Sequence, residues 1–339
     1  MSRAQLTSTD QQNSGGPVSP FVAGKNKIIN GDFGVWQRGT SFTITSGGGT
    51  YTADRWRADQ DGSGYTKIIS QQAFTAGNPI TGYEPTYFTR INQSVAGSGQ
   101  TFNIIGQFVE DVRVFAGQTV TFSFWAKAAS ATTIGWGYGQ EFGTGGSSAY
   151  FDDEPYNISL TTSWQRFSFT RTVQSVSGKT IGAGSHLDMY IRLPLSATYT
   201  VDTWGWQMEA GSAVTPFTTA SGTVQGELAL CQRYYWRNSN TSAYTTLSVF
   251  TPASTTTNFY NSIVYLPVPM RVAPTSIDYN SLRWTDGYSA ANSISSVALD
   301  GISSTVVGVD ATTTGLTVGR VYAIQTNGST GYLGFSAEL

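Results

Sequence analysis

Short runs in which apolar and polar residues alternate with a period of two constrain this chain more than any other feature. Val120, Phe122 and Phe124 alternate with Thr119, Thr121, Ser123 and Trp125, and Phe167 and Phe169 alternate with Arg166, Ser168 and Thr170. Successive side chains of a strand point to opposite faces, so this alternation suits a sheet with one face on a core. Residues 41–45, 65–71, 101–108, 119–126, 132–138, 163–173, 186–193 and 198–209 supply eight strand-like runs. Turn clusters rich in glycine separate them, and helical periodicity is nearly absent. The pattern predicts an all-β fold, a β-sandwich of the jelly-roll type. Other sandwich topologies fit the same spacing.

With about 150 residues per domain as a guide, a chain of 339 residues has room for two. Residues 1–24 are polar and hold Asn13-Ser14-Gly15-Gly16-Pro17 and Ser19-Pro20. Such a segment packs no core of its own and reads as an attachment arm. Residues 25–218 carry the sandwich. Residues 219–240 form a connector in which Glu227 to Trp236 is the one cluster of helix formers, with Leu228, Cys231 and Tyr235 at i, i+3 and i+7. A helix of about a dozen residues does not persist alone in water, so this stripe is expected to pack against copies of itself in an oligomer. Residues 241–339 return to β patterning as a second, smaller domain. In it Phe259, Asn261, Ile263 and Tyr265 are expected on one face of a strand that ends at Pro267-Val268-Pro269.

Composition removes several chemistries. One cysteine makes neither an intrachain disulfide nor a thiolate metal centre, and one histidine cannot supply a multi-histidine metal site. Charged residues are 12% of the chain, and the net charge of −2 provides no positive field for nucleic acid. No apolar run reaches the 18 residues of a membrane span. The first 20 residues lack the apolar core of a secretory signal, so synthesis and retention in the cytoplasm are expected.

Catalysis finds little support. His186, Ser185 and Asp188 are close in sequence, but Ser185 and His186 are neighbours on a strand and face opposite ways, so the three form no triad; His186 is read as structural. Asp152-Asp153-Glu154 precedes Pro155 in a loop and reads as a solvated turn or a calcium loop rather than the spaced carboxylate pair of a glycosidase. Gly47-Gly48-Gly49 and Gly143-Thr144-Gly145-Gly146 lack the Lys-Ser/Thr ending of a phosphate loop and are turns. Aromatic faces flanked by amide and hydroxyl groups are what sugar recognition needs. Trp136, Tyr138, Gln140, Phe142, Tyr150, Phe151 and Tyr156 are one such cluster, with sandwich filling as the competing role. Tyr279, Asn280, Arg283, Trp284, Asp286 and Tyr288 are a second, with subunit packing as the alternative.

A set of blocks in fixed order gives the chain a family likeness. Asn30-Gly31-Asp32-Phe33, Trp36-Gln37-Arg38-Gly39-Thr40 and Tyr51-Thr52-Ala53-Asp54-Arg55-Trp56 open it. Phe142-Gly143-Thr144-Gly145-Gly146-Ser147, Ser163-Trp164-Gln165-Arg166, Trp206-Gln207-Met208-Glu209-Ala210-Gly211 and Thr215-Pro216-Phe217 follow. Glu227 to Tyr235, Leu266 to Arg271, Ala273-Pro274-Thr275 and the closing Ser336-Ala337-Glu338-Leu339 complete it. In these blocks the chain resembles bacteriophage tail fibres and other virion receptor-binding proteins.

The resemblance implies a jelly roll similar to carbohydrate-binding modules, a homotrimer, and attachment to a virion tail adaptor or nozzle protein through residues 1–24. It also implies a virion location and non-enzymatic recognition of a host-surface polysaccharide. A capsid or nozzle decoration is the alternative, and a glycan depolymerase ranks below both. Sandwich modules of this kind carry a structural calcium ion near their first and last strands, for which Asp32, Asp202 and Glu209 are the oxygen donors to test. No other cofactor is expected.

Overall fold

The computed structural model describes residues 24–77, 79–239, 242–288 and 291–339. Of the expected attachment arm only Gly24 falls within them, and the rest lies outside the described residues. The strands before the connector are β1 (Ser41–Ile44), β2 (Gly48–Tyr51), β3 (Trp56–Gln60), β4 (Ser63–Ala73), β5 (Tyr87–Ser98), β6 (Asn103–Glu110), β7 (Thr119–Ala128), β8 (Thr132–Glu141), β9 (Tyr150–Asp152), β10 (Ile158–Leu160), β11 (Gln165–Thr172), β12 (His186–Arg192) and β13 (Tyr199–Ala210). Each of the eight patterned runs contains one of them. Strands β2, β3, β5, β9 and β10 lie outside those runs.

Two antiparallel sheets face each other. One has the order β1-β4-β5-β13-β7-β11, the other β10-β8-β12-β6-β3-β2, with β9 joining the free edge of β8. Between them Trp56, Phe122, Phe124, Trp136, Met189, Ile191, Trp206 and their neighbours form one buried core. Trp206 stacks on Phe124 at 4.6 Å between ring centroids and meets Trp56 edge-on at 4.9 Å. A bulge in β13 decides which tryptophan goes inside. Tyr199 and Val201 face the core, the register against β7 shifts between Trp204 and Gln207, and afterwards Trp206 and Met208 face it. Gly205 takes φ +69° there, and a Cβ on it would stand 2.6 Å from the Trp125 ring, so glycine is required. Trp204 is thereby left on the outer face, packed with Trp125, Phe217 and Phe88.

Helix α1 (Val224–Gln232) starts at Thr223, whose hydroxyl accepts from the Gly226 N–H at 3.0 Å. It ends earlier than the sequence suggests. Tyr235 and Trp236 leave it for β14 (Tyr235–Ser239). Then come β15 (Thr251–Pro252), β16 (Asn258–Tyr265), β17 (Ser276–Asn280), β18 (Leu282–Thr285), β19 (Ala291–Ser293), β20 (Ser296–Asp300), β21 (Val306–Thr312), β22 (Val321–Thr326) and β23 (Tyr332–Ser336). They make three small sheets, β14-β23-β17, β15-β22-β18-β19 and β16-β21-β20, around a second core. In β16 the register shifts between Phe259 and Ser262, with Asn261 at φ +56°. Phe259, Ser262 and Val264 are therefore buried instead of the strict alternation expected from Phe259 to Tyr265.

The expected oligomer stripe is also corrected. Cys231 and Tyr235 are buried within the single chain, and the Tyr235 hydroxyl donates to Asp278 at 2.6 Å. Only Leu228 of the three remains exposed. No helix among the described residues is long and apolar enough to cross a membrane.

The chain's last residues clasp the two halves together. Glu338 pairs with buried Arg55 and, at 3.2 Å, with Arg38. The Arg55 guanidinium lies 3.5 Å over the Tyr234 ring, and Arg38 lies 3.5 Å over Tyr235. The Tyr51 hydroxyl donates to the Leu339 carbonyl at 2.9 Å, and the Gln37 amide to the Tyr235 carbonyl at 2.7 Å. Removing one member of a buried pair strands the other's charge, so Glu338→Ala should lower the unfolding free energy by roughly 3–5 kcal/mol in denaturant titration.

Inside the sandwich, the fully buried Lys67 ammonium donates to Gln60 at 2.7 Å and Asn103 at 2.5 Å. Burial pushes its pKa down to about 7, against the pull of Asp59. Between that value and the unfolded lysine's pKa near 10.4, the unfolded chain holds the extra proton, so stability rises with pH. Thermal unfolding should shift upward from about pH 7 to pH 10, and Lys67→Met should flatten that slope.

Candidate functional site

Strand β8 reads Ile134-Gly135-Trp136-Gly137-Tyr138-Gly139-Gln140. Its large residues point into the sandwich. Trp136 packs on Phe122 and Phe169 at 5.0 and 4.7 Å, and Tyr138 on Phe122 at 5.3 Å. The Gln140 amide exchanges two 3.0 Å hydrogen bonds with the Gln174 backbone. All three are buried, so none presents a face to a ligand, which corrects the expectation for Trp136, Tyr138 and Gln140. Trp284 is corrected likewise. It is buried in the second core beside Tyr322, with its indole N–H on the Thr314 carbonyl at 3.1 Å. Tyr279 and Arg283 fall on strands of different sheets, and Arg283 lies 3.9 Å over Tyr244.

Nor do the three proposed calcium donors meet. Asp202 is held by Arg90 at 2.7 and 2.9 Å and by Lys127 at 3.6 Å. Glu209 is held by Lys25 at 3.1 Å and by Thr215 and Gln207, while Asp32 lies beside Glu227. Among the described residues, no three acidic, histidine or cysteine side chains gather into a metal-binding group.

The outward positions of β8 are the glycines, and they open a trough on the sheet's outer face. Register places Gly135 beside Arg192, Gly137 beside Tyr190 and Gly139 beside Asp188 on β12, with Ile104, Gly106 and Phe108 of β6 beyond. On the other edge Phe151 of β9 lies opposite Gly139. A Cβ at residue 137 would stand 2.6 Å from the Tyr190 ring and 2.7 Å from Asp153, and one at residue 139 would stand 2.3 Å from Asp188. Only glycine lets these groups lie across the strand.

Asp153 organises the trough. It accepts from the Tyr190 hydroxyl at 2.6 Å and from Arg192 Nε at 3.0 Å, with a second contact to the same guanidinium. Its neighbour Asp152 is tied to Arg171 at 3.0 Å. The acidic cluster in this loop is thus a set of separate ion pairs. Phe102, Phe151 and Tyr156 stand exposed around Arg192 and two adjoining hollows of about 190 and 380 Å³. Tyr150, also exposed, lies on β9 at the same edge. Asp188 lines the smaller hollow, 5% exposed, and its Oδ1 has no hydrogen-bond partner. Burial, with Glu141 adding like charge, pushes its pKa up to about 7. His186, one row further, stacks on Phe108 at 4.3 Å and contacts the Gly184 carbonyl at 2.9 Å. Burial lowers its pKa.

Of the expected aromatic cluster, this face gathers Phe151 and Tyr156, whereas Tyr150 pairs with Gln140 and lies 6.1 Å from Tyr138, on the other side of the strand. Asp188, Tyr190, Arg192, Asp153 and Phe102 were not foreseen as ligand residues. Asp188, Tyr190 and Arg192 recur at every second position of a foreseen strand, the one signal that would have placed them on a common face.

No protein-family model matches the chain, and no curated protein matches it. Among solved structures it is similar to the enzymatically active domain of bacteriophage CBA120 tailspike protein 4, at 15% identity and TM-score 0.38 over 57% of this chain. The matched part is 22% of that chain. It is also similar to the CBM22-2 xylan-binding domain of Paenibacillus barcinonensis Xyn10C, at 17% identity and TM-score 0.33 over 50% of this chain and 99% of that one. The family 11 carbohydrate-binding module from Clostridium thermocellum, solved with a mixed-linked tetrasaccharide, is similar at 10% identity and TM-score 0.31, over 52% and 97%.

Because the folded pKa of Asp188 lies above its unfolded value, the folded chain holds the extra proton between about pH 4 and 7, and stability falls as pH rises through that window. Asp188→Asn should remove this slope. Above pH 7 the variant should exceed the parent in unfolding free energy by on the order of 2–4 kcal/mol, read by denaturant titration at several pH values.

Proposed function

We propose that this chain is a subunit of a phage tail fibre that recognises a host-surface polysaccharide without catalysis. The buried Asp188 carboxyl, whose Oδ1 lacks a partner, is set in a glycine-floored trough beside the Asp153–Arg192–Tyr190 network and carries the glycan part of this reading. A sugar offers what the trough lacks. Its hydroxyls can donate to Asp188, and its C–H faces can cover the exposed rings of Phe102, Phe151 and Tyr156. Arg192 is already neutralised by Asp153, so the face favours an uncharged chain over an anionic one.

The virion part rests on the ordered sequence blocks that resemble tail fibres. A homotrimer joined to the virion through residues 1–24 fits it, since repeated weak sites raise avidity by ~10²–10⁴ without new contacts. With Cys231 and Tyr235 committed within the chain, the trimer contact draws on exposed positions such as Leu228 and Val224 of α1.

The test mixes full-length protein with host cells and with their extracted surface polysaccharide, and measures binding and released reducing ends together. Binding without release is expected. Phe151→Ala and Tyr156→Ala, both at exposed rings, should each weaken binding roughly 3- to 10-fold while leaving the melting temperature unchanged. Release of oligosaccharide would replace this reading with a depolymerase, and a monomer by light scattering would remove the trimer.

A further inference from the structure

We propose that the chain carries a second saccharide site on the opposite face of the sandwich, where Tyr83, Tyr87, Trp204 and Phe217 wall a hollow of about 410 Å³. It takes a sugar that is uncharged or bears an ammonium group. The floor is the outer face left by the β13 bulge, and the rim is the connector from Phe217 to Val224.

Two groups in this wall lack partners. The Trp204 indole N–H and the Thr218 hydroxyl are both buried, at 3% and 5% exposure, and neither has a hydrogen-bond partner. Buried polar groups in native proteins nearly always find one, so two orphans lining one hollow point to a ligand with acceptor oxygens. Trp204 is fixed in place by Phe217, Trp125 and Tyr83 at 4.8, 5.2 and 5.5 Å, so its N–H is held ready. The Tyr83 hydroxyl accepts the Phe217 N–H at 2.8 Å and keeps its own proton to donate. Aromatic walls with several hydroxyl and N–H groups match a ring that is apolar on its faces and polar on its rim.

Charge sets the class of sugar. A second hollow of about 280 Å³ shares Asp32, Gly34, Thr219, Gly222 and Val224 with the first and extends it to Glu227. The two are lined by Asp32, Glu84 and Glu227 and by no lysine or arginine. Glu227 accepts the Asn30 and Ser221 N–H groups at 2.8 and 2.6 Å, with Asp32 beside it. Burial and that neighbouring charge raise the Asp32 pKa to about 6. A carboxylate, sulfate or phosphate on the ligand would meet this field directly. With two sites on opposite faces, each chain would engage two stretches of polysaccharide, which multiplies the valency of any assembly.

The experiment follows the Trp204 indole N–H itself. Full-length ¹⁵N-labelled protein, with that resonance assigned by Trp204→Phe, is titrated with glucose, glucosamine and glucuronate. The resonance should move saturably with glucose and glucosamine, and glucuronate should bind on the order of tenfold more weakly. Asp32→Asn should narrow that gap, and Thr218→Val should weaken both binding sugars about 3-fold or more. No movement with any sugar overturns the site, and equal binding of glucuronate overturns its charge class. Tyr156→Ala at the first face should leave these titrations unchanged, so either site can fail without the other.

Discussion

The alternation of large residues and glycine along β8 is the constraint from which most of the first half follows. Trp136 and Tyr138 fill the core from one side of the strand, and the other side carries nothing at residues 135, 137 and 139. A side chain there would displace Tyr190, Asp153 or Asp188. Core and trough are therefore two consequences of one strand. Gly205 plays a matching part on the opposite sheet, where its left-handed backbone turns Trp206 inward and leaves Trp204 outside.

The second half is held to this frame by charge and ring stacking rather than by a broad apolar seam. Arg38 and Arg55 converge on Glu338 and lie over Tyr235 and Tyr234, which follow the Arg233 cap of α1. Burying two guanidinium groups costs desolvation, which shared contacts with one carboxylate and two ring faces offset. The helix that ends at Gln232 thus works as an internal strut. Of its apparent stripe, Cys231 and Tyr235 are buried within the chain and Leu228 stays exposed.

The strands were legible where one face is apolar and the other polar, because that alternation survives in composition alone. It failed for β5, β17 and β19, whose polar or exposed residues break the pattern, and for β18, whose alternation runs over only four residues. It failed in β16 because a bulge at Asn261 exchanges the faces mid-strand. The site was legible only at its rim. Phe151 and Tyr156 are aromatics in a Gly/Ser-rich stretch, but so are Trp136 and Tyr138, and a sequence does not say which face of β8 is inward. The glycines between them carried that information, since a residue without a side chain contributes nothing to a core. Asp188, Tyr190 and Arg192 were hidden because their shared face becomes a trough only where β12 lies beside the glycines of β8.

Orphaned polar atoms deserve separation by where they lie. Among the described residues, ten buried side-chain atoms have no partner, including Tyr65 Oη, Thr89 Oγ1 and Trp136 Nε1. Those three sit in the packed sandwich, where no ligand arrives, and they are a cost of filling it with large amphipathic side chains. Asp188 Oδ1, Trp204 Nε1 and Thr218 Oγ1 differ because their residues line hollows open to solvent. At a sealed position an unpaired group is only destabilising, so nothing but packing retains it. Beside an opening, the same group becomes a gain when a ligand supplies the missing partner, because the desolvation has already been borne by folding. That distinction, more than the number of aromatic residues, sets the two outer faces of this sandwich apart from its core.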